Sequence, residues 1–217
     1  MKLSTRNSLI GKIADKLGFN KTFSKYTKVV VDPSDTAIIS PVEAKVMQIG
    51  NISNKGTLIS KNKKEIPLTD LIGRYANKFL NTMYINFYLN PSNKHFWVTP
   101  YNGIFIYTQI NDGKSWLPAY TGLENLLGLE MFNIAAKKNA SIGSVFKTKN
   151  YLLAIIAIGS LNVNRIHIDY DEMKHYRKGT PCGYFSIGST LLLCFPNNLN
   201  LLIKEKSNVK IGQRILI

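Results

Sequence analysis

The sequence predicts an α+β fold, mainly β in a single domain, with a short N-terminal amphipathic helix and a few further helices. Three observations lead there. Most of the chain consists of short β-branched and aromatic runs separated by Pro, Gly and Asn. Only two windows beyond the N-terminus carry helical spacing. The 217 residues are 45% hydrophobic and 19% charged, a composition that can bury one sizeable core.

The elements follow in order. In "SLIGKIADKLGFN" the apolar residues Leu9, Ile10, Ile13 and Leu17 fall on one helical face, with Lys12, Asp15 and Lys16 elsewhere. Ser8 can cap that helix and Gly18 can stop it. Phe19, Phe23 and Tyr26 continue among Lys21, Lys25 and Lys28, so residues 1–28 read as a basic amphipathic segment suited to a membrane surface. Residues 29–217 form the body. "KVVVDPSDTAIISPVEAKVMQIGNI" holds β-branched runs broken by Pro33, Pro41 and Gly50. Strands are expected again in "GTLISK", "MYINFYLNP", "HFWVTP", "GIFIYTQI", the long stretch 144–170, "GYFSIGSTLLLCF" and "NLLIKE". Helices are expected in "LTDLIGRYANKFL" from Leu68 and "GLENLLGLEMFNIAAKKN" from Gly122. No internal repeat or low-complexity linker interrupts the body.

The net charge of +15 favours an anionic partner. Nucleic acid is set aside. Only the charge supports it, and Tyr84, Phe87, Tyr88, Phe96 and Trp97 lie at strand spacing, which suits a core better than a stacking platform. Cys182 and Cys194 are the only cysteines, too few for a disulfide scaffold and without metal-ligand spacing, so no metal site is expected. The longest apolar run, "YLLAIIAIG", falls well short of the roughly 20 residues that span a bilayer. No secretory signal is visible. Membrane contact is therefore expected to be peripheral.

The chemistry centres on "IGST" at residues 187–190. A serine hydroxyl can attack the carbonyl before it when the backbone is held unusually and a base takes the proton. Gly188 leaves that carbonyl unshielded. The ester so formed can eliminate to a dehydroalanine, which hydrolyses to a pyruvoyl group. That carbonyl can condense with an amine and act as an electron sink. A bare Gly-Ser-Thr is usually a turn or a strand end, so its surroundings decide.

Those surroundings are "KGTPCGYFSIGSTLLLCFP" at 178–196, with "VKIGQRIL" at 209–216, "ISPVEAKVMQIG" at 39–50 and "FYLNPSNKHFWVTPYNG" at 87–103. In this order they resemble the phosphatidylserine decarboxylase family. Its members show Pro-x-Asp-Gly-x-Val, then Tyr-Leu-x-Pro-x-x-Tyr-His-x-x-His-x-Pro, then a Gly and an aromatic pair ahead of Gly-Ser-Thr. The resemblance covers nearly all of 29–217. It implies self-cleavage at Gly188–Ser189, a pyruvoyl cofactor derived from Ser189, and decarboxylation of phosphatidylserine to phosphatidylethanolamine. It also implies an anionic phospholipid substrate, attachment at the cytoplasmic side of a membrane, and a homodimer.

Residue by residue, Ser189 matches the family's cleavage serine. His95 matches the first histidine, which is linked to the proton returning to Cα, a task suited to its unperturbed pKa of roughly 6.5. Glu43 falls where the family has Asp, and Ala44 where it has Gly. The second histidine, the family's base for self-cleavage, falls on Val98, and a family acidic position falls on Pro181. Valine accepts no proton, so His95 would serve both steps, or cleavage would be slow or absent. The alternative reading is therefore a non-processing member that binds or scaffolds lipid. His167 and His175 match nothing and read as structural or solvent-exposed.

Overall fold

The computed structural model describes residues 3–5, 16, 26–60, 63–90, 92–113, 132–159, 165–186 and 189–217. Their strands are β1 (Leu3–Ser4), β2 (Ile38–Ile39), β3 (Ala44–Asn51), β4 (Thr57–Ile59), β5 (Glu65–Pro67), β6 (Met83–Leu89), β7 (Phe96–Val98) and β8 (Gly103–Asn111). They continue as β9 (Ser141–Lys147), β10 (Leu152–Gly159), β11 (Ile166–Ile168), β12 (His175–Tyr176), β13 (Pro181–Phe185), β14 (Ser189–Phe195), β15 (Asn208–Val209) and β16 (Arg214–Leu216). Helix α1 (Thr69–Ile72) runs into a 3-10 segment, Gly73–Phe79, and α2 is Phe132–Lys138.

Two sheets organise the body. The larger has the order β12-β8-β9-β10-β14-β6-β3-β15, and the smaller β1-β11-β13-β7. Each ladder described is antiparallel, the pattern expected of meandering short strands. One face of the large sheet packs on the small one. Leu191, Leu193, Phe195, Leu153 and Ile155 meet Trp97, Ile166, Ile168, Cys182 and Phe185 there. The other face, carrying Leu192, Cys194, Ala154, Ile156 and Ile158, packs on Leu71, Ile72, Ala76 and Phe79 of the first helical stretch and on Phe132 and Ala136 of α2. Central strands β10 and β14 are thus covered on both sides. This explains why "LLAIIAIG" and "TLLLCF" are continuous apolar runs rather than alternating ones.

The single mainly-β domain with a few helices matches the expectation. Differences are local. Residues 29–31 form no strand: Val30 is 88% exposed, and Asp32 N–H donates to the Gly212 carbonyl from an extended segment that ends at Pro33. "NLLIKE" contributes only an isolated bridge between Leu201 and Leu216. The helix expected from Leu68 changes to 3-10 geometry at Gly73, whose φ of 52° breaks the α-helical run. The N-terminal helix and the first part of the 122–139 helix lie outside the described residues. Ahead of that region, β1 forms the edge of the small sheet against Ile168 and His167. After it, Tyr26 packs edge-on to Phe96 and donates its phenol hydrogen bond to Asp169. No helix among the described residues is long and apolar enough to cross a membrane.

Candidate active site

Four stretches converge at one end of the large sheet. Strand β14 starts there with Ser189, which pairs with Gly159 at the end of β10 and with Leu89 at the end of β6. Strand β3 starts there too, with Lys45 opposite Tyr88 and Glu43 just ahead. With neighbouring strands about 4.8 Å apart, the β14 and β3 backbones flanking β6 are separated by about 10 Å. The β6–β7 connection, residues 90–95, closes the group. Gly188 lies outside the described residues, and Ser189 is placed by its backbone.

That connection is built around Asn93. Its N–H donates to the Asn90 carbonyl at 2.9 Å, and its Oδ1 accepts from the Asn90 N–H at 2.8 Å, closing a tight turn. Its Nδ2 donates to Glu43 Oε1 at 3.2 Å. The half-buried Glu43 is thereby tied to the turn that carries His95, two residues on. The segment bearing Glu43 is anchored as well: Ser40 donates to the Val42 carbonyl at 2.8 Å, and Val98 N–H donates to the Pro41 carbonyl at 3.0 Å.

His95 is 1% exposed. Burial holds its imidazole below the ordinary value of 6.5, while a backbone hydrogen bond at Asn93 acts in the opposite direction. The neutral ring is the resting form near pH 7. The His95 carbonyl accepts from Phe185 N–H at 2.7 Å, which couples the histidine turn to β13. Phe185 precedes Ser189 by four residues, a span of at most about 14 Å. Gly183 permits this tight join: a Cβ there would lie 2.1 Å from the Trp97 ring. A glycine ahead of the aromatic pair is thus a steric requirement of the β7–β13 ladder.

Val98 occupies an apolar setting. It is fully buried with Ile39, Phe96 and Ile211, and directly across its ladder stands Pro181. Neither residue can exchange a proton. Thr190, next to Ser189, is fully buried, and its Oγ1 has no hydrogen-bond partner among the described residues. Leaving such a hydroxyl unpaired costs about 1–3 kcal/mol.

The remaining candidates lie elsewhere. His167 stacks on Tyr184 with ring centroids 4.3 Å apart, and His175 is exposed on β12 at the far edge of the large sheet. Both cysteines are buried and unbridged, and burial pushes both thiols up, so they are poor nucleophiles. Among the described residues no group of three or more His, Cys, Asp or Glu could hold a metal ion.

Comparison with known proteins places the chain. A family model described as phosphatidylserine decarboxylase matches residues 19–217. The chain belongs to the phosphatidylserine decarboxylase family. It is 32% identical over 190 residues to the phosphatidylserine decarboxylase proenzyme of Anoxybacillus flavithermus, covering 85% of this chain and 69% of that one. The proenzyme of a Geobacillus species is 31% identical over 190 residues, with 85% and 70% covered. That of Coxiella burnetii is 27% identical over 205 residues, with 83% and 70% covered. Sequence reasoning overlooked Asn93 in this decarboxylase-family chain. The available signal was "NPSN": a second Asn two residues before His95, in a turn opened by Asn-Pro.

Proposed function

We propose that this chain is the proenzyme of a carboxy-lyase that converts phosphatidylserine to phosphatidylethanolamine after cutting itself at Gly188–Ser189. The observation that carries the reading is the convergence of Glu43, Asn93 and His95 on the sheet end where β14 begins. In the cut, Ser189 Oγ bonds to the Gly188 carbonyl carbon and the peptide C–N bond breaks, giving an ester. Elimination releases the Gly188 carboxylate and leaves dehydroalanine at 189. Water then adds and ammonia departs, leaving a pyruvoyl cap on a chain of 29 residues, 189–217. The site suits such a cap. Ser189 is already ladder-paired on both sides, so β14 keeps its pairing when the bond ahead of it is lost.

The pyruvoyl carbonyl supplies the electron sink for loss of CO₂. Buried and neutral, His95 can accept a proton. Once charged in that setting it gives the proton up readily, which suits delivery to the substrate carbon after CO₂ leaves. Asn93 and Glu43 hold the turn that orients it. With valine at 98, His95 serves both steps. Tyr26, at the end of the basic amphipathic segment, rests on Phe96, the residue after His95. A membrane-seeking segment anchored there would bring an anionic phospholipid to the site, from the cytoplasmic face of a peripheral attachment. The active protein is proposed to be a homodimer.

The intact mass of purified protein tests the reading. A fragment of 29 residues with a carbonyl-reactive, blocked N-terminus, absent in Ser189→Ala, is the expected result. A single 24.4 kDa species under all conditions would favour a non-processing, lipid-binding member instead.

A further inference from the structure

A second site lies at the other end of the large sheet. A cleft of about 610 Å³ opens where β8 begins, β9 ends and β12 pairs with β8. Lys147, Lys149, Arg177 and His175 line it, together with Tyr101 and Asn102, and none of its lining residues is acidic. We infer that this cleft binds the phosphate group of an organic phosphate, at a site separate from the one where decarboxylation is proposed.

The cleft is held in shape by its backbone. Thr148 Oγ1 donates to the Tyr151 carbonyl at 2.9 Å and accepts from the N–H groups of Asn150 and Tyr151, fixing the hairpin that presents Lys147 and Lys149. The Arg177 carbonyl accepts from Thr99 Oγ1 at 2.6 Å and from both the N–H and Oγ1 of Thr180. Asn102 gives its side-chain oxygen to the Lys178 N–H, which keeps its NH₂ as a donor. Tyr101 packs its ring against Tyr151 at 5.9 Å and forms an aromatic wall. Three exposed cations set on pinned backbone suit a phosphate, which a guanidinium can grip with two parallel hydrogen bonds. The volume exceeds that of a bare phosphate and falls in the range of small-molecule sites, which leaves room for an organic portion.

The cleft is not the seat of the substrate's own phosphate. In phosphatidylserine the phosphorus lies three bonds from the reacting carbon, about 4 Å away. Strand β10 runs from Leu152, opposite Lys147, to Gly159, opposite Ser189. Seven residues of strand place those ends about 23 Å apart.

The ligand has two possible sources, a soluble phosphate ester or the headgroup of an anionic lipid. sn-Glycerol 3-phosphate, titrated calorimetrically, probes the first. Vesicles of phosphatidylglycerol in phosphatidylcholine, followed by sedimentation, probe the second, and they lack the amine needed for decarboxylation. The full chain should bind at least one of these, and Lys147→Ala and Arg177→Ala should each weaken that binding at least tenfold. Lys55→Ala, on an exposed turn elsewhere, should leave it unchanged. Melting temperatures of all three variants should stay within about 2 °C of the parent. Binding of the soluble ester assigns the site to a free ligand; binding of vesicles alone assigns it to a lipid. If neither probe binds, if the cleft variants bind as the parent does, or if Lys55→Ala loses as much as they do, the site is refuted. Ser189→Ala should bind normally, so failure of self-processing and failure of this site are read separately.

Discussion

Replacing Val98 with histidine puts a base at the position where the family resemblance implies one. Structure sets its cost. Val98 is fully buried among Ile39, Phe96 and Ile211, and faces Pro181 across the ladder. Fitting a larger ring there costs about 1–3 kcal/mol. Burying its nitrogens without partners costs about 1–3 kcal/mol more, so the fold should lose roughly 2–6 kcal/mol at pH 7.5. An imidazole in that apolar setting titrates below its unfolded value near 6.5, so the unfolded chain binds the extra proton and the deficit grows as pH falls through 6.5. Urea unfolding at pH 7.5 and 5.5 measures this. In parallel, time-resolved intact mass should show self-cleavage accelerated about 10²-fold, the lower range for a positioned base. Val98→Ala separates base from loosened packing: it should destabilise by about 2 kcal/mol without accelerating the cut. A loss below about 0.5 kcal/mol in Val98→His would show that the site is not packed as described. Destabilisation on the expected scale with an unchanged cleavage rate would refute the missing base as the limiting factor.

Other outcomes follow from the same geometry. His95→Ala should reduce decarboxylation by about 10²–10⁴-fold, measured as CO₂ released from phosphatidylserine in mixed micelles. His95 titrates below 6.5 in the fold, so the parent should lose stability as pH falls below 6.5, and His95→Ala should flatten that slope in urea titrations at several pH values. Asn93→Ala severs the link to Glu43 and opens the 90–93 turn; it should cost about 1–2 kcal/mol and lower kcat more than it raises KM. Thr190→Val removes a buried hydroxyl that lacks a partner among the described residues and should raise the urea midpoint by the equivalent of about 1 kcal/mol. Slower cleavage in that variant would show that the hydroxyl is used in the cut.

Much of this was legible in the sequence because the signals are local. Runs of β-branched residues bounded by Pro and Gly locate β3, β6, β8 and β10, the last of these being the apolar run at 152–159. The ordered blocks around Glu43, His95 and Ser189 carry the family. Other features depend on pairings that no local pattern encodes. Val29–Val31 has strand composition, yet no ladder partner among the described residues reaches it ahead of Pro33. The neighbours of Val98 come from residues 39, 96 and 211, and its opposition to Pro181 is set by a register 83 positions apart. The local pattern around Asn93 signals a turn and nothing more. Its bond to Glu43 crosses 50 residues and exists only once β3 and β6 have paired.

The position of Ser189 at the start of a central strand of the large sheet also governs timing. Its ladder partners on either side, Leu89 and Gly159, are distant in sequence, so the bond proposed to be cut acquires its surroundings only when both flanking strands have docked. A newly made or unfolded chain lacks that environment. In the self-cleavage proposed above, completion of the fold would therefore act as the trigger, and a molecule that misassembles would stay chemically silent instead of generating a stray electrophile.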